Sequence, residues 1–356
     1  MPWYDSAVFY HIYPLGLCGC AHENDGQAVP GAFQKLDAWA AHAFELGCSA
    51  IYIGPLFESG SHGYDTVDYR RVDRRLGANE EFAAWVAACH ARGQKVIVDG
   101  VFNHVGRGFF AFRDLQEHRE GSAYRDWFCD VNFWGNNEYN DGFSYANWGG
   151  HNDHNYFEIA HTMRRLQGLC GDTRLYTFSD NHDVERLPNK LRNRAHIRHI
   201  AILVYTLWGI PSIYYGSEFG IEGKKEWGSD WPLRPCLDLA DYEGALEANP
   251  ITSVYAALGR LKAAEPALTY GKPQELLLTT ERYAFARVLD GRALVTVLNN
   301  ADAPARLELP LPVPAEDAED LLADCAGSQD VAARVENGRL IVELPGNYGT
   351  VLGLGQ

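Results

Sequence analysis

From Ala7 to Ala263, short apolar runs alternate with amphipathic helical stripes, and this alternation restricts that part of the chain to a parallel α/β architecture. Ala7-Val-Phe-Tyr-His-Ile-Tyr13 reads as a first strand. Phe33, Leu36, Trp39 and Ala40 follow at helical spacing, and Ala50-Ile-Tyr-Ile53 is a second strand stopped by Gly54-Pro55. Phe82, Trp85, Val86 and Cys89 mark the next helix, before a strand over Val96 to Val98. Phe109 to Gly150 is polar and aromatic without clean periodicity, too long for an ordinary connection, so a loop subdomain is expected over about 106–150. Tyr156, Ile159, Ala160, Met163 and Leu166 form another helical stripe. A strand follows from Leu175, a helix over Ile197 to Leu207, a strand at Ile213-Tyr-Tyr215 and a helix over Ile251 to Ala263. After about Tyr270 the pattern becomes short strands divided by turn residues, at Tyr283–Val288, Ala293–Val297, Arg306–Leu309 and Leu340–Leu344. The predicted division is an α/β domain over residues 1–270 and a small antiparallel β-sandwich over 271–356.

Composition narrows the function classes. The chain has 356 residues, 46% of them hydrophobic, enough for one large domain and a small one. A formal charge of −16 and an isoelectric point near 5.2 argue against nucleic acid or an anionic membrane surface as partner. Neither a signal peptide nor a membrane-spanning run is evident, so the cytoplasm is the expected location. The eight cysteines are scattered. Cys48, Cys89 and Cys170 sit in apolar patterns as small core residues, and Cys18-Gly-Cys20 lacks the spacing of a usual metal or redox pair.

Two segments carry chemistry. Lys95-Val-Ile-Val-Asp99-Gly-Val-Phe-Asn103-His104 and Leu175-Tyr-Thr-Phe-Ser-Asp-Asn-His182-Asp183 are each an apolar run ending in a carboxylate and an imidazole at a strand tip. With His62-Gly-Tyr64-Asp65, Phe9-Tyr-His-Ile-Tyr13-Pro and Gly209-Ile-Pro-Ser-Ile-Tyr-Tyr-Gly-Ser-Glu218, they occur in an order that resembles glycoside hydrolase family 13, the α-amylase family. Within it the chain looks like the cytosolic cyclomaltodextrinase and neopullulanase relatives. The resemblance implies a β/α-barrel followed by a small β-domain, acting on α-linked glucose oligosaccharides. It implies that Asp183 holds the position of the transition-state-stabilising carboxylate. His62, Tyr64, Asp99, His104 and His182 match substrate-binding or supporting positions, and Asn103 a position often used for calcium or loop anchoring.

Two partners of Asp183 are missing from the pattern. Members of the family carry a Gly-x-Arg-x-Asp strand with the nucleophile and a strand ending in the acid/base Glu. The sole Arg-x-Asp here, Arg71-Val-Asp73, follows no apolar strand, and no Gly-Glu pair occurs. The α/β region supplies about five strand–helix units where such a barrel takes eight, a shortfall on the order of a hundred residues. A shortened barrel is therefore expected, joined near Trp148-Gly-Gly-His151, with the strands of Val98 and Phe178 as neighbours. Should they fail to close on each other, their apolar edges call for cover, and a homo-oligomer, a dimer by preference, is the simplest cover.

Glu58 and Glu218 stand at strand ends as substitutes for the lost pair, but loop anchoring or ion pairing suits them better. His151, His154 and His161 suggest a metal site, although Asp153 beside them suits a helix start, and no resident metal is expected. The aromatic run from Trp127 to Trp148 reads equally as a sugar-stacking platform or a loop mini-core. Three functions stay open: an α-glucan hydrolase or transferase rebuilt around Asp183, a non-catalytic α-glucan-binding or scaffold protein, and a barrel-deletion variant. Retaining glycoside cleavage needs two carboxyl groups about 5 Å apart, so weak activity or none is expected.

Overall fold

The computed structural model describes residues 2–129, 131, 133, 156–171 and 173–355. The predicted junction at Trp148 to His151, the histidines 151 and 154, Asp153 and the aromatic residues from Trp134 to Trp148 lie outside the described residues. In chain order the first elements are β1 (Phe9–Ile12), α1 (Pro14–Leu17), α2 (Ala32–Glu45), β2 (Ala50–Ile53), β3 (Phe57–Ser59), β4 (Thr66–Val72), α3 (Asn79–Ala91) and β5 (Lys95–Val98). Then come α4 (Phe110–His118), α5 (Tyr156–Cys170), β6 (Tyr176–Thr177), α6 (Leu187–Lys190), α7 (His196–Thr206), β7 (Ile210–Tyr214), α8 (Ala245–Ala248), α9 (Pro250–Ala264) and α10 (Pro266–Tyr270). Strands alone follow: β8 (Lys272–Leu278), β9 (Arg282–Leu289), β10 (Arg292–Asn299), β11 (Ala305–Pro310), β12 (Glu319–Asp320), β13 (Ala332–Glu336), β14 (Arg339–Leu344) and β15 (Tyr348–Leu354).

A parallel five-stranded sheet in the order β5-β2-β1-β7-β6 organises the first part, with Phe9 opposite Ala50 and Ser212, and Ala50 opposite Lys95. The strands of Val98 and Phe178 were expected to be neighbours; instead β5 and β6 are the two edges, so the sheet is open among the described residues. The edges are correspondingly wet, with Ile97 39% and Phe178 42% exposed. Helix α5 links these edges in sequence but packs on the last strands: Tyr156 lies against Tyr283 at 5.7 Å between ring centres and hydrogen-bonds Asn300.

Alternation of side chains across a strand divides the molecule. Tyr10 and Ile12 of β1 enter the main core with Leu36, Trp39 and Ala40, the buried stripe of α2. Phe9 joins a small separate cluster with Ala7, Ala50 and Ile210 on the other face. The long region after β5 is less irregular than its sequence suggests, because α4 forms and buries Ala111 and Leu115, four residues apart. Helix α9 starts at Pro250 where Asn249 Oδ1 accepts from the amides of Ile251 (2.8 Å) and Thr252 (3.3 Å). Beyond α10 two antiparallel sheets, β12-β15-β10-β9-β8 and β11-β14-β13, share one apolar core containing Val295, Val297, Leu309, Leu340 and Val342.

Candidate functional site

Loops at the carboxyl ends of β2, β5 and β6 and the loop of the β3–β4 hairpin bring their side chains to one place, where such sheets place their sites. The hairpin loop delivers Tyr64. Asp65 closes that loop by accepting from Ser61 N (3.1 Å) and Ser61 Oγ (3.0 Å), and the buried Arg75 braces it by donating to Ser61 O at 2.7 Å. Gly63 has φ 89°, and a Cβ there would fall 2.2 Å from Pro55 Cγ, so only glycine lets the loop lie this close. Gly54 serves Asp99 in the same way, since a Cβ on it would lie 2.0 Å from Asp99 Cβ.

The loop after β6 supplies His182 and Asp183. It is pinned by Asp180, which accepts from Ser217 Oγ (2.9 Å) and Leu187 N (3.0 Å), and by Asn181 Oδ1, which accepts from Asp183 N at 2.9 Å. The His182 ring sits between two tyrosines, 5.3 Å from Tyr64 at an interplanar angle of 15° and 5.7 Å from Tyr13 at 29°. His182 Nε2 also bonds Tyr64 Oη and lies 3.1 Å from Asp183 Oδ2. Arg234 completes the frame: Nη2 donates to Asp183 Oδ1 at 3.1 Å and Nε to His182 O at 3.1 Å, with the guanidinium 4.7 Å from the Tyr13 ring centre.

The two acids of the cluster are driven in opposite directions. Burial raises Asp99 above the ordinary carboxylate range, and hydrogen bonding to Tyr52 and Tyr64 and the nearby His182 only partly offset it. Burial pushes Asp183 upward too, but the hydrogen bond and charge of His182 and the Arg234 guanidinium outweigh it and hold the carboxyl low. Tyr64 is raised by burial and by the charges of Asp99 and Asp183, so it stays a phenol donor. Below the cluster, His11 of β1 is buried among Tyr52 (4.5 Å between ring centres), Tyr214 (5.1 Å) and His182 (5.3 Å), and burial holds it well below the usual histidine range.

Of the residues singled out in the sequence, Tyr64, Asp99, His182 and Asp183 share this electrostatic neighbourhood. His62 stands at the rim: its carbonyl accepts from Tyr13 Oη at 2.5 Å, its Nδ1 accepts from Tyr64 N at 3.3 Å, and nearly half its side chain is exposed. His104 offers its carbonyl to Tyr69 Oη at 3.1 Å. Asn103 is exposed, and among the described residues no group of three or more His, Cys, Asp or Glu side chains could hold a metal ion. Glu218 accepts from Tyr10 Oη at 2.6 Å and contacts His42 at 3.0 Å, on the helix side of the sheet. Glu58 pairs with Arg74 and accepts from its backbone N at 2.8 Å. Both acids are thus structural anchors, as is Asp73 of the rejected Arg-x-Asp, paired with Arg75 at 2.8 Å. Arg234, Tyr52 and His11 carry no sequence signal as site residues. Strand alternation, which puts His11 on the same face as Phe9, was the one available clue.

Residues 12–170 match the family profile described as the α-amylase catalytic domain. Over that stretch, a little under half of the chain, the sequence is similar to the α-amylase family. Among curated relatives, a cyclomaltodextrinase of Bacillus sp is 36% identical over 141 residues, 35% of this chain and 25% of the relative. Neopullulanase 2 of Thermoactinomyces vulgaris is 36% identical over 146 residues, 35% of this chain and 24% of the relative. The matched stretch therefore spans about a quarter of those relatives' own length. In fold the chain is similar to a Nostoc punctiforme debranching enzyme (TM-score 0.73, 22% identity, covering 99% of this chain and 98% of that one). It is likewise similar to an Anoxybacillus α-amylase (TM-score 0.74, 17% identity, covering 100% and 99%). At these identities the likeness concerns the fold alone. No helix among the described residues is long and apolar enough to cross a membrane.

Proposed function

We propose that this chain is a member of the α-amylase family that binds α-linked glucose oligosaccharides through Tyr64, Asp99, His182 and Asp183 and has little or no power to cleave them. The observation that carries this reading is the engagement of the strand-end acids. Asp183 is held by Arg234 and His182, while Glu58 and Glu218 are tied into contacts elsewhere. Retaining cleavage requires a nucleophile and an acid/base about 5 Å apart. What remains suits recognition: a phenol, an imidazole and carboxylates to bond sugar hydroxyls, beside aromatic faces on which a pyranose ring stacks. The open sheet fits a shortened barrel that lacks the units from which the family draws its reacting carboxylates. Calorimetric titration with maltotetraose tests the reading. Binding is expected, weakened at least tenfold in Asp183→Ala, with no product from maltotriose or a cyclodextrin. Absence of heat with the unaltered chain, or ready hydrolysis, overturns it.

A second reading rests on the opposed acids. An Asp99 carboxyl shifted upward by burial and an Asp183 carboxyl shifted downward by His182 and Arg234 diverge in the sense that acid and base roles require. On this reading slow hydrolysis survives, and Asp99→Asn abolishes it while leaving sugar binding within about threefold. Equal residual rates in Asp99→Asn and the unaltered chain eliminate it.

A further inference from the structure

On the helix side of the sheet, a pocket of about 380 Å³ opens between α2 and the segment that runs into α8. That volume suits a small molecule. One wall is a stack of three rings. His42 of α2 lies 5.2 Å from Phe219 between ring centres at an interplanar angle of 27°, and Phe219 lies 3.9 Å from Tyr242 at 6°. Leu239 and Leu246 extend the apolar surface. The rim is acidic. Glu45 comes from α2, three residues after His42 and so on the same face, while Glu243 and Glu247 come from the α8 side. All three are exposed, and among the described residues no basic side chain pairs with them.

His42 ties this surface to the interior. Its side chain is nine-tenths buried, and its Nε2 lies 3.0 Å from Glu218 Oε1, an oxygen that also accepts from Tyr10 Oη at 2.6 Å. Glu218 is wholly buried, and its Oε2 has no hydrogen-bond partner. Donation from Nε2 to this carboxyl leaves Nδ1 of the neutral ring as an acceptor, and no group among the described residues bonds it. The field at the pocket is negative. Burial, then the charges of Asp241 and Glu218, raise the Tyr242 phenol, and Arg186 opposes them as the smallest cause. Ring faces with carboxylates select a cation, and an apolar wall between two acidic sides suits methylenes between two charges. A metal ion fits poorly, since no group of three or more His, Cys, Asp or Glu side chains among the described residues could hold one.

We propose that this pocket is a binding site for an aliphatic diamine. One ammonium donates to His42 Nδ1 beside Glu45, the methylenes lie along Phe219 and Tyr242, and the second ammonium meets Glu243 and Glu247. The site is separate from the Asp183 cluster and does not rest on the function proposed for it.

Calorimetry on the full chain at fixed ionic strength, with 1,5-diaminopentane, pentylamine and magnesium ion as probes, tests this. The diamine is expected to bind at least tenfold more tightly than pentylamine, and an equal concentration of magnesium is expected to leave it bound. His42→Gln keeps a donor for Glu218 but removes Nδ1, and is expected to weaken the diamine at least threefold. Because His42 also packs in the interior, the double variant Glu45→Gln, Glu247→Gln, confined to exposed positions, serves beside it. It is expected to weaken the diamine at least tenfold with an unchanged Tm. No heat with the diamine, or undiminished affinity in the double variant, overturns the site. Displacement by magnesium marks non-specific charge and overturns it too. Equal affinity for pentylamine overturns the diamine as its ligand, and undiminished affinity in well-folded His42→Gln overturns the placement of its ammonium.

Discussion

The two faces of the parallel sheet are held together by different forces. On the helix-facing side, Tyr10 and Ile12 join a continuous apolar core in which Trp39 is wholly buried. On the other side, Phe9 has a small apolar cluster, and past it the strand ends carry His11, Tyr52, Tyr214 and His182 in ring contact. Apolar burial is non-directional and scales with area, so the first face tolerates no loss of volume. The second depends on ring contacts, hydrogen bonds and charges among buried polar groups. Apolar packing dominates one face of β1, and polar ring contacts the other.

The sharpest way to break this comparison is Trp39→Ala. Loss of a buried indole is expected to cost about 3–5 kcal/mol in urea unfolding. A loss under about 1 kcal/mol would mean that the helix-facing core is not what holds the sheet.

Arg234→Met probes the polar face. It removes a buried donor to Asp183 and His182, with an expected cost of about 1–3 kcal/mol. The distinguishing readout is the Asp183 titration by carboxyl NMR. Its pKa is held low in the folded chain, so its stabilising contribution is present above the ordinary carboxylate range and is lost as pH falls through the lowered value. Arg234→Met should move that midpoint upward; an unmoved midpoint removes Arg234 from the site's electrostatics.

A pH series sharpens the contrast further. His11 is held neutral by burial, so the unfolded chain binds a proton near its ordinary value of 6.5 that the folded chain refuses. Stability should therefore fall as pH drops below about 6.5, with a slope of up to about 1.4 kcal/mol per pH unit for one such group. His182, Asp183 and Arg186 all act on this imidazole. His199 of α7, buried and lowered to about 4, adds a slope of the same sign. Asp99, raised in the folded chain, works in the opposite sense and gains as pH falls. His11→Leu should flatten the decline, and an unchanged slope would assign it to His199 alone.

The smallest expected effect is at the open edge. Ile97→Lys should change unfolding free energy by no more than about 0.5 kcal/mol, because the side chain is 39% exposed. If a second copy covers β5 and β6, as their exposed apolar side chains invite, sedimentation should show a dimer that this charge disperses. A monomer before and after the substitution sinks the proposed dimer.

Local pattern made much of this molecule legible. The stripe Phe33, Leu36, Trp39, Ala40 is the buried face of α2, because residues three and four apart on a helix share one side. His62-Gly-Tyr64-Asp65 reads as a loop from its resemblance to the family's motif, and only the structure shows Gly63 at φ 89° with a Cβ position 2.2 Å from Pro55 Cγ. Asp99 and Asp183 stood out because each polar cluster ends an apolar run. Alternation along the chain identified the strands but not their order in space: β5 and β6 are the two edges, and α5 meets the last strands through contacts between residues more than a hundred positions apart. Arg234 reaches Asp183 across 51 positions from a loop without periodicity, so its role exists only once the chain is folded. The carboxyls of Asp99 and Asp183 are alike as sequence, and nothing in the residue names separates them. Burial with phenols around one, and a guanidinium with an imidazole beside the other, drive them apart, because charge and desolvation act through space and space is what the tertiary structure decides.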